Sequence, residues 1–85
     1  MPYFVYILGS VKNSKFITYV GYTNNHKKRL VLHNKGKGAK FTRGRYWKMI
    51  HRETFKTKKE AISREYYIKR NRKLRNLIKA RYIYG

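Results

Sequence analysis

The chain has no cysteine, one proline and only three acidic residues among its 85. The missing thiols exclude disulfide scaffolds, thiolate zinc sites and cysteine nucleophiles. The three carboxylates, Glu53, Glu60 and Glu65, are too few for a two-metal site built on several bridging carboxylates. Long apolar runs are missing as well. No stretch without a charge is longer than Met1 to Val11, far short of the roughly 20 residues of a membrane helix. No basic stretch precedes that run and no cleavage-like site follows it. The expectation is a soluble, cytoplasmic protein without a signal peptide.

What the chain has in excess is positive charge. Lys and Arg number 23, for a formal net charge of +20. Leu, Ile, Val and Phe contribute 20 of the 85 residues, just above the roughly 20 % below which a highly charged chain stays disordered. Nine Tyr and one Trp add buryable surface, so the chain is expected to fold. Its length fits one domain spanning residues 1–85. Self-repulsion at this charge destabilises the compact state, which predicts a marginal fold steadied by bound anions. The matching partner is a polyanion, nucleic acid first. An anionic membrane surface is a weaker match, carried only by a basic last helix.

Residues 3–9, Tyr-Phe-Val-Tyr-Ile-Leu-Gly, are β-branched and aromatic, and Phe16 to Tyr22 is again β-rich. Together they predict a hairpin whose polar turn, Lys12 to Lys15, is longer than a two-residue loop. Nearly continuous apolar runs suit strands covered on both faces. Thr23-Asn24-Asn25 offers N-caps for a helix reaching Asn34, with Gly36 ending it. Lys35 to Arg45 reads as a flexible basic loop, and Tyr46 to Phe55 as a third strand. Thr57-Lys58-Lys59-Glu60 is a capping box opening a helix to about Arg70. Leu74, Leu77, Ile78 and Arg81 then recur with helical period. The order β-β-α-β-α-α predicts an α+β domain with a three-stranded antiparallel sheet flanked by helices.

Few residues could do chemistry. Glu60 belongs to the capping box, and Glu53 has many cations near it to pair with. Glu65 falls between Ala61 and Ile68 on one helix face, so it projects from the apolar stripe. Spacing alone admits either an ion pair or a ligand for a divalent cation. Arg29 and His33, four apart, share a face that suits a phosphodiester: a cationic fork beside a group that can move a proton. Tyr6 and Tyr19 lie in the two hairpin strands, where tyrosines usually pack. Gly21 marks a place of close approach. Lys37, Lys40, Arg43 and Arg45 in the glycine-spaced loop are candidates for phosphate contacts.

In order, Phe4-Val5-Tyr6, Tyr19-Val20-Gly21, Arg29, His33 and a helical Glu65 resemble the GIY-YIG nuclease family. Gly36 to Arg45 and Ala61 to Lys69 resemble its small single-domain bacterial branch, and the chain is similar to the N-terminal module of the excision-repair nuclease. Phe4 stands where the family's first motif has Gly, and Tyr22 where some relatives have Lys. The resemblance implies a metal-dependent endonuclease with Glu65 holding a single Mg²⁺ or Mn²⁺. It also implies Tyr6 or Tyr19 as the base, Arg29 on the phosphate and His33 beside it. The expected substrate is DNA ahead of RNA, with specificity drawn from the loop, a protein partner or nucleic-acid structure, and with nucleoid association when bound. Composition alone is equally met by a non-catalytic basic DNA- or RNA-binding module. No membrane association is expected from the family.

Overall fold

The computed structural model describes all residues 1–85. Strands β1 (Tyr3–Lys12) and β2 (Lys15–Thr23) are followed by helix α1 (His26–Asn34), strand β3 (Lys48–Phe55) and helices α2 (Lys58–Lys69) and α3 (Arg72–Tyr84). The sheet order is β2-β1-β3, antiparallel throughout. The fold is α+β, in the element order the sequence predicts.

The hairpin turn differs from expectation. Asn13 and Ser14 both take positive φ, 54° and 64°, the backbone of a tight two-residue turn whose twist matches the strands it joins. Lys12 and Lys15, read from sequence as turn residues, instead pair as the last rung of the ladder.

β1 is the central strand, and Val5, Tyr6, Ile7 and Leu8 are all buried. Alternation sends these side chains to opposite faces. Val5 and Ile7 pack with Val20, Ala61, Ile68 and Ile78, so α2 and α3 cover one face. Tyr6 and Leu8 pack with Trp47, Tyr19 and Leu30 on the other. The sheet is thus the middle layer, as its continuous apolar runs require.

Local signals set the helix ends. The Asn25 side chain accepts from Lys28 N–H at 3.1 Å and opens α1. Lys37 N–H to Leu32 C=O and Gly36 N–H to His33 C=O close it, the paired bonds of a Schellman ending. Thr57 and Glu60 form the reciprocal capping box of α2. Asn71 caps α3 by accepting from Leu74 N–H at 3.0 Å.

The basic segment between α1 and β3 is pinned rather than loose. The Asn34 amide accepts from Trp47 N–H at 2.6 Å and donates to Trp47 C=O at 3.1 Å. The Trp47 indole N–H donates to Thr42 C=O at 2.8 Å. With its backbone held by Asn34, Trp47 stays out of the sheet, and β3 starts at Lys48 rather than at Tyr46.

Candidate active site

Register places the two motif tyrosines together. Tyr6 pairs with Gly21 and Leu8 with Tyr19, so Tyr6 and Tyr19 are diagonal neighbours on one face. Only glycine fits opposite Tyr6: a Cβ on Gly21 would lie 2.5 Å from the Tyr6 hydroxyl. The Tyr6 side chain therefore reaches across the β2 strand toward the cleft beside it.

That cleft, about 420 Å³, is lined by Tyr6, Tyr19, Tyr22, Arg29, Lys58 and Glu65, among others. It draws on both layers of the domain. Tyr6 and Tyr19 come from the Trp47 side, while Tyr22 packs with the core beneath α2. Ala61 and Ile68 are fully buried, so their shared face carries Glu65 inward, its side chain 16 % exposed. Lys69 stands 3.6 Å from the Glu65 carboxylate, beyond hydrogen-bond length. Glu53, by contrast, is fully engaged by Arg64 at 2.8 and 3.2 Å and by His51 at 2.8 Å. Burial works against its charged form, but Arg64 and His51 outweigh it and hold the carboxyl below its ordinary value.

His33 lies behind Tyr6, fully buried. The Thr42 hydroxyl donates to Ala39 C=O at 2.9 Å. Its oxygen is then free to accept from His33 Nδ1, 2.8 Å away. That leaves Nε2 with the lone pair, and the Tyr6 hydroxyl, 2.9 Å off, donates to it. Burial, then the Arg29 charge, lowers the His33 pKa below its usual 6.5, which keeps the ring neutral in this arrangement. Burial pushes Tyr6 up to about 12 against the pull of Arg29. Tyr6 is a held phenol. Gly38 must be glycine, because its Cβ would run into the His33 ring.

Arg29 donates through Nη2 to Gly38 C=O at 3.2 Å, while its Nε is buried without a partner. Of the four loop cations, Lys37, Lys40 and Arg43 are exposed. Arg45 is half-buried, with Nη1 removed from solvent.

The structure thus brings Tyr6, Tyr19, Arg29 and Glu65 to one cleft, with His33 one hydrogen bond deeper. Sequence reasoning missed Lys58, although it precedes Glu65 by seven residues, two helical turns on the same face. It also missed Thr42, which no periodicity marks.

A family model described as the GIY-YIG catalytic domain matches residues 2–78. The chain belongs to the GIY-YIG family. It is 52 % identical over 75 residues to a UPF0213 protein of Clostridium perfringens, covering 84 % of this chain and 77 % of that one. Identity to a UPF0213 protein of Bacillus licheniformis is 54 % over 66 residues, 76 % of this chain and 65 % of the other. The chain therefore spans roughly two thirds to three quarters of the length of these relatives. The solution NMR structure of a UPF0213 protein from Bacillus halodurans is similar, with 36 % identity, a TM-score of 0.48 and coverage of 89 % and 79 %. No helix is long and apolar enough to cross a membrane.

Proposed function

We propose that this GIY-YIG domain is a metal-dependent endonuclease that hydrolyses phosphodiester bonds in nucleic acid, DNA before RNA. The observation that carries the reading is the shared cleft of Tyr6, Tyr19, Arg29 and Glu65 in a chain of charge +20.

The residues fit one hard cation. No group of three or more His, Cys, Asp or Glu gathers anywhere. Mg²⁺, however, needs only one or two carboxylates when waters and phosphate oxygens complete its shell. Glu65 supplies one, and the loosely placed, half-exposed Lys69 ammonium is free to swing aside. Bound there, Mg²⁺ or Mn²⁺ would supply charge neutralisation at the phosphate and the leaving oxygen.

The protein's own groups divide the remaining work. Arg29 binds the phosphate, its unpartnered Nε offering a donor that a phosphate oxygen satisfies. Tyr19, half-buried at the cleft, takes the proton of the attacking water as a phenolate, its own proton having first left to solvent with the surrounding cations favouring the anion. Tyr6 is the poorer base, since burial raises its pKa to about 12 and its proton is bonded to His33. Tyr6 instead presents its oxygen's lone pairs to the cleft and orients the water, with His33 and Thr42 as positioning residues behind it. Lys58 brings an ammonium to the cleft from α2, compensating for the Lys that Tyr22 displaces.

Incubation with plasmid, branched DNA and structured RNA, in Mg²⁺ or Mn²⁺ against EDTA, tests the reading. Metal-dependent cleavage is the expected result. Tight binding without cleavage across the panel would favour the non-catalytic module.

A further inference from the structure

Phe41 is 60 % exposed. It is also held stiffly. Its neighbour Thr42 is fully buried, bonded through its hydroxyl to His33 and Ala39 and through its carbonyl to the Trp47 indole. With Thr42 turned inward, Phe41 is turned out. Its ring stacks on that of Tyr19 at 6.0 Å and 21°, with buried Trp47 6.3 Å away. The result is a supported aromatic ring at the surface, next to a residue of the catalytic cleft.

A second depression begins there. It measures about 350 Å³ and is lined by Thr18, Tyr19, Val20, Phe41, Lys69 and Arg75. Tyr19 lines both this groove and the cleft that holds Glu65. Lys69 follows Glu65 by four residues of α2, about 6 Å of rise, a distance on the scale of one nucleotide step. Arg75 is held by its bonds to the Ile68 and Lys69 carbonyls, so its charge is fixed at the groove. An aromatic face flanked by two cations matches a nucleobase and its phosphate.

We infer that Phe41 is a stacking platform for an unpaired base one step from the scissile phosphate. In a duplex the faces of interior bases are covered by their neighbours, and a ring such as Phe41 can stack only on a base that is unpaired or splayed out. The inference deepens the nuclease reading and rests on it for the position of the scissile phosphate. It assigns the substrate class as single strands, flaps and loops.

The test is binding in EDTA, where metal-dependent cleavage is absent. Fluorescein-labelled single strands of about 12 nucleotides, one DNA and one RNA, are titrated beside a blunt DNA duplex of the same sequence. Phe41→Ala and Phe41→Leu are expected to weaken single-strand binding about tenfold or more, leaving duplex binding within about twofold. Phe41→Trp should retain single-strand affinity, since the larger ring still stacks. Phe41→Leu keeps an apolar side chain over Tyr19 and Trp47, and Trp47 fluorescence monitors its fold. If the effect is seen with both strands, the platform reads the base face; if with one, it reads the sugar as well. Equal losses for single strand and duplex, or no loss in either, would overturn the inference. Cleavage by the wild type in Mg²⁺ is scored separately. A Phe41 effect without cleavage would sink the nuclease reading, and with it the position relative to a scissile phosphate, while leaving the stacking platform; cleavage without a Phe41 effect would sink the platform alone.

Discussion

The Tyr6 hydroxyl donates to Nε2 of His33 across 2.9 Å, joining residues 27 apart in sequence. The bond has a direction because Thr42, on the far side of the ring, is already committed as a donor to Ala39. A threonine in a loop thus sets which nitrogen of a buried histidine faces Tyr6.

Thr42→Val should therefore leave His33 Nδ1–H buried without an acceptor, at a cost of about 1–3 kcal/mol. The tautomer should become mixed, read from the ¹⁵N shifts of the His33 ring. Thr42→Ser should restore both stability and the wild-type shifts. Unchanged shifts in the valine variant would mean that Thr42 does not hold the tautomer.

Gly21→Ala places a methyl group against the Tyr6 hydroxyl. Over-packing of this kind costs about 1–3 kcal/mol, and displacing Tyr6 should lower the cleavage rate by at least about tenfold. Thermal melting and a rate measurement on one preparation check the pair. A variant with wild-type rate would show that Tyr6 tolerates displacement.

Stability should fall on the acid side. His33 has a folded pKa below the usual 6.5 of a histidine, so near and below that pH the unfolded chain binds the proton first. Its contribution is complete above about 6.5 and is lost as the pH falls from there through the lowered folded value. His26, lowered by burial and then by Arg52, acts with the same sign. Comparing wild type with His33→Gln isolates the His33 share: the variant's melting temperature should drop less between pH 7 and 5. Parallel profiles would contradict a buried neutral His33. At the alkaline end Tyr6 acts with the opposite sign, its contribution being lost as pH rises from 10 to about 12.

Nucleic-acid binding should be steeply salt-dependent. Contact with about six phosphates gives a slope of log K against log salt near −5. Neutralising Lys37, Lys40 and Arg43, all exposed, should shallow that slope by about 2–3. Arg45 should contribute less, because one of its guanidinium nitrogens is out of solvent. A slope unchanged in the triple variant would remove this segment from the binding surface.

The fold was legible where short-range chemistry decides it. The capping box at Thr57 and Glu60, the Asn25 cap, the Gly36 ending and the apolar run of β1 all lie where local propensity puts them. The hairpin tip was misread because a turn with positive φ at Asn13 and Ser14 lacks the glycine that usually signals it. The segment from Lys35 to Arg45 read as loose because its order comes from distant partners. Asn34 grips Trp47 and Thr42 meets His33, and nothing in the segment's own composition announces either bond. In the site, Tyr6, Tyr19, Arg29 and Glu65 were legible as an ordered motif. Lys58 and Thr42 were not, since each depends on a neighbouring element that only the folded chain supplies.

The most direct test of the nuclease account is Glu65→Ala, with cleavage rate and filter-binding affinity measured on the same preparation and thermal melting as the folding control. Glu65 is assigned as the protein ligand of the cation, and losing stabilisation of this kind costs roughly 3–4 kcal/mol, or about two to three decades in rate. Affinity should hold or rise slightly, because removing an acid from a chain with 23 Lys and Arg only increases its positive charge. The account predicts a folded protein that binds and does not cut. A Glu65→Ala protein that cuts at the wild-type rate would contradict it.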